Sequence, residues 1–291
     1  MLQFAVLWFL VRVAGRFPAW LIDIKAVVLG TLAWYLSPRL RRVTDDHMRH
    51  VLGPTASPRA RARAARGCVR TAARNYAAFA RAPYLTPEQQ FAPIEVMDGA
   101  DRFFGAVDRG CGVIAVSSHL GNPEAILRAL GRSGLAVMVF IERLSPSRMH
   151  DWVRDLRGAP GLRLVTADLA GAREALTHVR AGGVLVVLAD RDLLGTGRPV
   201  MFFGERARLP SGPVELALRT GAPLLPVTVL RSPRGGLRVI IDEPLTLTRT
   251  GGRDANIEAG MRAMAAALET GIRRAPDQWF ALSPIWQGLT L

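Results

Sequence analysis

The chain has little cysteine, lysine or tyrosine. Its two cysteines, Cys68 and Cys111, lie far apart in apolar surroundings. They form no Cys-x-x-Cys pair and suggest no disulfide framework, which points to a reducing compartment. Lys25 is the single lysine, so the basic character of the chain is carried by arginine. With only three tyrosines, and few aromatics in the basic segments, base stacking on nucleic acid is disfavoured. The histidines (His47, His50, His119, His150 and His178) show no zinc-ligand spacing. No Gly-x-Ser-x-Gly stretch occurs, which removes the usual signature of a serine nucleophile. The apolar N-terminus is broken by Arg12, Arg16, Asp23 and Lys25, and its longest uncharged run, 26–38, has thirteen residues. A spanning helix needs about 20, so a span is not expected. A signal peptide would carry its positive charge ahead of the apolar run, whereas the first charge here is Arg12.

What is present is length, grease and positive charge. The 291 residues suffice for one large α/β domain or two smaller ones, with a sizeable core. Hydrophobic residues make up 49% of the chain, mean hydropathy is +0.18 and net charge is +14. Such a balance implies an anionic partner: nucleic acid, an acidic substrate or an anionic membrane. Most of the excess lies early, since residues 1–91 hold 14 basic and 4 acidic side chains. Residues 1–50 read as amphipathic helices in a membrane interface, a docking hairpin with Trp8, Trp20 and Trp34 at headgroup level. Residues 57–83 read as one helix, opened by Ser57-Pro58 and stopped by Pro83. On it Arg59, Arg63, Arg66, Arg70, Arg74 and Arg81 fall within an arc of about 80°, with Cys68, Ala72 and Phe79 opposite. No interleaved glutamate explains this stripe by pairing along the helix, so lipid phosphates are its natural partners.

Residues 84–105 read as a connector, and from 110 onward the text alternates. Apolar runs at 112–118, 136–141, 162–167, 183–189, 224–231 and 237–242 predict strands. Helical patterns at 122–131, 146–158, 170–181, 212–220 and 255–275 lie between or after them. This predicts an α/β fold in residues 51–291, with a mostly parallel central sheet flanked by helices. In such sheets sites form beyond the carboxyl ends of the strands. His119 follows "GVIAVSS" there. Gly121 and Asn122 supply a turn, Pro123 suits a helix start, and Glu124 falls in the first helical turn, where the helix dipole favours an acid. Two more strands end in charge: Glu142-Arg143 after "AVMVFI", and Asp190-Arg191-Asp192 after "GVLVVLA". Titratable groups gathered at one sheet edge read as a site.

The segments "HLGNPE", "ERL", "LADRDLLGTG", "FFG" and "LPSGPVELALRTGAPLLPV" follow one another over most of the chain, which runs on to "PDQWFAL". In that order and spacing they resemble the bacterial lipid acyltransferases of the lipid A (lauroyl/myristoyl) and phosphatidylinositol mannoside type. "ERL" and "ADRDL" look closer to the mannoside branch. The resemblance implies a glycerol-phosphate-acyltransferase-like fold and makes His119 and Glu124 the general base and the acid that orients it. Glu142, Arg157 and Asp190 match further functional polar positions. Pro123 replaces the family's usual aromatic and Asp190 replaces a glutamate, departures that bear on the acceptor more than on the reaction.

The residues suit that chemistry. Acyl transfer from a thioester to a hydroxyl needs a base for the hydroxyl proton, and a neutral imidazole serves near pH 7. The thioester is already activated, so no covalent serine is needed and Ser117 or Ser118 more naturally caps a turn. Arg143, Arg157 and Arg191 offer planar forks for substrate phosphates, and backbone donors after "LPSGP" offer an oxyanion or phosphate site. The expected protein is an O-acyltransferase without cofactor or metal, taking acyl-CoA or acyl carrier protein as donor and a glycolipid or phospholipid as acceptor. It is expected on the cytoplasmic face of the inner membrane, docked to one leaflet. A lysophosphatidic acid or glycerol phosphate acyltransferase shares the His-x4-acid logic but would carry an "FPEGTR"-like stretch where "LADRDLLGTG" stands. A lipid A acyltransferase is the other enzyme alternative. A non-enzymatic lipid- or nucleic-acid-binding protein is the alternative from charge alone.

Overall fold

A computed structural model describes residues 17–86, 88–89, 94–142, 161–192, 194–233 and 235–286. The expected helix at 146–158, with Arg143 and Arg157, and the first sixteen residues with Trp8, Arg12 and Arg16, lie outside the described residues. Three helices come first: α1 (Ala19–Leu36), α2 (Pro38–Leu52) and α3 (Pro58–Arg81). Both α2 and α3 open on a serine N-cap followed by proline, with Ser37 accepting from Leu40 N and Ser57 from Ala60 N. That arrangement satisfies one of the free N–H groups of each first turn, while proline has no N–H to lose.

The body alternates as its pattern requires. It runs β1 (Ile94–Asp98), α4 (Ala100–Asp108), β2 (Val113–Ser117), α5 (Pro123–Gly131), β3 (Val137–Ile141), β4 (Leu162–Thr166), α6 (Leu169–Arg180) and β5 (Val184–Leu188). It continues through a hairpin, β6 (Arg198–Phe202) and β7 (Glu205–Leu209), then α7 (Gly212–Thr220), β8 (Leu224–Arg231), β9 (Leu237–Ile241) and α8 (Arg253–Arg274). Seven strands form one sheet in the order β1-β9-β8-β2-β5-β3-β4. All neighbours run parallel except β8 and β9. Each strand expected from the apolar runs is present within a residue at either end. The supposed connector at 84–105 holds β1 and the start of α4, and the β6–β7 hairpin went unread. Its strands are exposed at every second position, so their apolar residues are too few for a continuous run.

The pleat divides the core in two. Ile114, Val116, Met138, Leu185 and Val187 pack on one face with α2, α3, α6, α7 and α8. Val113, Ala115, Val137, Val139, Val184 and Val186 pack on the other, with α4 and α5. Alternate residues of one strand point to opposite faces, and helices cover both, so the inner strands β3 and β5 are apolar at every position. Helix α2 belongs to the first layer, burying Met48 and Val51 in it.

Helix α1 departs from the expected amphipathic form. Apolar side chains ring it, and its 18 residues, with a hydropathy of 1.5, are long and apolar enough to cross a membrane by length and composition. One stripe, Ile22, Ala26 and Gly30, is buried. A Cβ at Gly30 would meet Arg70 Cα and Val69 O at 3.0 Å, so glycine permits the close approach to α3. Trp20, Ile24, Val28, Leu29, Leu32 and Leu36 are exposed. The arginine stripe is where α1 docks. Arg66 Nη1 donates to Tyr35 Oη at 2.7 Å, Arg70 Nε to Thr31 Oγ1 at 2.8 Å, and Arg74 to Asp23. Half of the stripe therefore answers polar groups of a neighbouring helix.

Candidate active site

The parallel register of β2 and β5 pairs Ser117 with Leu188. Two residues on, past both strand ends, it brings His119 beside Asp190. The imidazole Nδ1 lies 2.7 Å from Asp190 Oδ1. Asp190 Oδ2 accepts from the His119 backbone N–H at 2.9 Å and from the Trp279 indole Nε1–H at 2.8 Å. The Asp190 side chain is fully buried, while that of His119 keeps 14% exposure. Burial alone would raise the Asp190 carboxyl. The His119 charge and three hydrogen bonds outweigh it and hold the group down at about 2. An ionised carboxylate only accepts hydrogen bonds, so Nδ1 carries the proton and the lone pair of a neutral ring sits on Nε2.

This corrects the expected role of Glu124. The carboxylate bonded to Nδ1 is that of Asp190, 71 residues away, not the acid five residues on in the same turn. Glu124 does stand in the first turn of α5, 4.0 Å from Arg128 Nη2. A five-residue spacing across a tight turn and a helix start does not fix where two side chains meet, whereas neighbouring parallel strands place their ends side by side.

The loop carrying His119 is held from three directions. Gly121 has φ +61°, and a Cβ there would lie 2.2 Å from the Val229 carbonyl oxygen. Asn122 caps α5 by accepting from Ala125 N, with Pro123 next. From α3, Asn75 Nδ2 donates to Gly121 O at 2.7 Å, and Arg231 Nη2 donates to Asn75 Oδ1 at 2.6 Å. Burial and the nearby Arg74 lower Arg231 to about 10. From the C-terminal segment, Phe280 N donates to His119 O at 2.7 Å and Gly121 N to Gln278 O at 3.2 Å. Sequence reasoning missed Asn75, Arg231, Gln278 and Trp279, which have no spacing relation to His119. The only signal was that "PDQWFAL" closed the recognised run.

His119 opens into a cavity of about 830 Å³, within the range of small-molecule sites. Glu124, Glu142 and Arg191 share it, with Leu127, Phe140, Leu164, Leu176 and Val187 among its apolar lining. Arg191 Nη2 lies 3.6 Å from Glu142 Oε2. Ala72 and Phe79, on the face of α3 away from the arginines, also line it. The segment Pro210–Pro213, at the start of α7, borders the same space. Among the described residues no three His, Cys, Asp or Glu side chains are grouped so as to hold a metal ion.

A family model of bacterial lipid A biosynthesis acyltransferases matches residues 2–288. The chain belongs to that family. Within it, the chain is 33% identical over 197 residues to a phosphatidylinositol mannoside acyltransferase of Mycobacterium tuberculosis H37Rv, covering 66% of this chain and 60% of the relative. It is 28% identical over 228 residues to the protein of that name from Mycolicibacterium smegmatis, covering 75% and 72%. The matched stretch thus spans less than two thirds of the length of the M. tuberculosis relative. The family match agrees with the resemblance carried by "HLGNPE" and "LADRDLLGTG".

Proposed function

We propose that the chain is a membrane-associated O-acyltransferase that moves a fatty acyl group from a thioester to a hydroxyl of a glycolipid. Its acceptor is of the phosphatidylinositol mannoside kind. The observation that carries the mechanism is the buried Asp190 at Nδ1 of a histidine that faces an apolar cavity. Asp190 fixes the tautomer, so Nε2 takes the proton of the acceptor hydroxyl as its oxygen attacks the thioester carbonyl. The C–O bond forms, the C–S bond breaks, and the imidazolium returns the proton to the leaving thiolate. Asp190 stabilises the imidazolium between the two steps. A positioned base of this kind contributes about 10²–10⁴-fold. The apolar lining suits the acyl chain, while Arg191, with Arg143 and Arg157, is the candidate phosphate holder.

The exposed apolar side of α1 supports membrane docking, with Trp20 suited to the headgroup level. Only α3 separates α1 from the cavity, so a bilayer met by α1 would lie about one helix diameter, roughly 10 Å, from the space that His119 faces. We assign this docking to the cytoplasmic leaflet, where the thioester donors are made.

The test is acyl transfer by the purified full chain. Acyl-CoA and acyl carrier protein thioesters are offered with phosphatidylinositol mannoside, a lipid A precursor or lysophosphatidic acid, and products are read by mass spectrometry. An added acyl mass on the mannoside alone, lost in His119→Ala, is expected. Transfer only to lysophosphatidic acid or to the lipid A precursor would replace the acceptor assignment. Full activity of a folded His119→Ala protein would sink the mechanism.

A further inference from the structure

Trp279 is fully buried and touches the acid of the His119–Asp190 pair. Its indole N–H donates to Asp190 Oδ2 at 2.8 Å. Its backbone bridges Leu120, the residue after His119, and the next residue, Phe280, donates its N–H to His119 O. His47 of α2 stacks on its ring at 4.9 Å between centroids, and the rings of Phe202, Phe203 and Trp286 pack around it. An aromatic residue needed only for volume would not require an N–H aimed at a buried carboxylate.

We propose that Trp279 is a positioning residue that sets the proton affinity of His119 through Asp190. The inference rests on the reading of His119 as general base. A carboxylate that shares its charge with an indole N–H attracts the imidazole proton less strongly. Without that donor, Asp190 concentrates its charge on His119 and the ring keeps its proton to higher pH. Less of the enzyme then holds a neutral base at pH 7. Substrate binding is untouched, since Trp279 lies behind the pair and is not part of the cavity lining.

Two variants of the full chain test this. Trp279→Phe removes the N–H and part of the ring. Incorporation of 3-benzothienylalanine at position 279 replaces the N–H by sulfur in a ring of nearly the same shape, which guards against a folding defect. In both, the acid limb of kcat/KM should move up by roughly half a pH unit. At pH 7 kcat should fall about two- to threefold, the most that half a unit removes from the neutral base, with KM within twofold. The His119 ring, followed by NMR in histidine-labelled protein, should titrate higher by the same amount. Glu124, Glu142 and Arg191, which share the cavity with His119, and His47 behind the indole are unchanged in both variants. An unshifted His119 titration in the sulfur isostere would overturn the inference and leave Trp279 a packing residue. The two readings fail separately: activity surviving His119→Ala would refute the general base, while the NMR titration still decides whether Trp279 tunes the ring.

Discussion

The loop at 118–122 and helix α1 stand on opposite sides of α3 and are built in opposite ways. In the loop, polar groups are sunk and tied: Asp190 takes three donors, Gly121 O takes Asn75, and His119 O takes Phe280 N. In α1 one narrow stripe is buried and large apolar side chains stand bare. For the proposed general base, fixed geometry is what counts, and its neighbours hold it through short bonds inside a buried wall. For the proposed membrane-docking surface, area and freedom to slide suffice, because hydrophobic attraction has no direction. Helix α3 serves both, with arginines toward α1 and Ala72 and Phe79 toward the cavity.

The largest effects should come from the tied side. His119→Ala should lower kcat/KM by about 10³-fold in a steady-state transfer assay, within the span of general-base contributions. Asp190→Asn should cost about 10²-fold or more, because an amide donates where Nδ1–H must donate and so favours the wrong tautomer. Glu124→Gln should stay within a few-fold. If Glu124→Gln fell as far as Asp190→Asn, the division of labour between the two acids would be wrong.

On the bare side, Leu29→Gln with Leu32→Gln should weaken flotation with anionic liposomes by about 2 kcal/mol, or roughly thirtyfold in partitioning. Transfer to a detergent-dispersed acceptor should stay within twofold. Salt should loosen the parent protein only in part, because the apolar contribution is not screened. Unchanged flotation of the double variant would move the docking surface away from α1.

Acid should expose the cost of the buried wall. Burial pushes the His47 imidazole down to about 4 from an ordinary 6.5. Between those values the unfolded chain binds the extra proton, so stability falls as pH drops through the window. From pH 7 to pH 5 the loss from His47 should be about 2 kcal/mol. Thermal unfolding of the parent and His47→Phe should show a shallower pH slope in the variant, and parallel slopes would refute the assignment.

The smallest effect should be at the helix joint. Arg74 and Asp23 are paired, with side-chain exposures of 37% and 41%. Asp23→Asn should therefore cost less than about 1 kcal/mol in chemical denaturation. A larger loss would mean that the joint is tied as firmly as the loop.

Much was legible because it depends on local pattern. Continuous apolar runs between helical periods gave the strands within a residue, since a sheet covered on both faces needs grease at every position. His119 at a strand end, and charges after the next strands, marked the sheet edge that borders the cavity. The apolar N-terminus and the arginine face of α3 were legible as compositions but not as partners. A helix wheel shows which side chains share a face, and cannot show that Tyr35, Thr31 and Asp23 lie across from it.

By itself, the sequence determined the α/β class and the family, and it set His119 at the end of an apolar strand. Each follows from side chains close together in the chain or from motifs in a specific order. Tertiary structure alone decided which acid holds the imidazole. Strand β5 is laid beside β2 although β3 and β4 come between them in sequence, and that crossing brings Asp190 to His119. It also brought Trp279 to Asp190 and Asn75 to Gly121. Contacts over such separations are chosen by the packing of the whole sheet, to which no single segment holds the key.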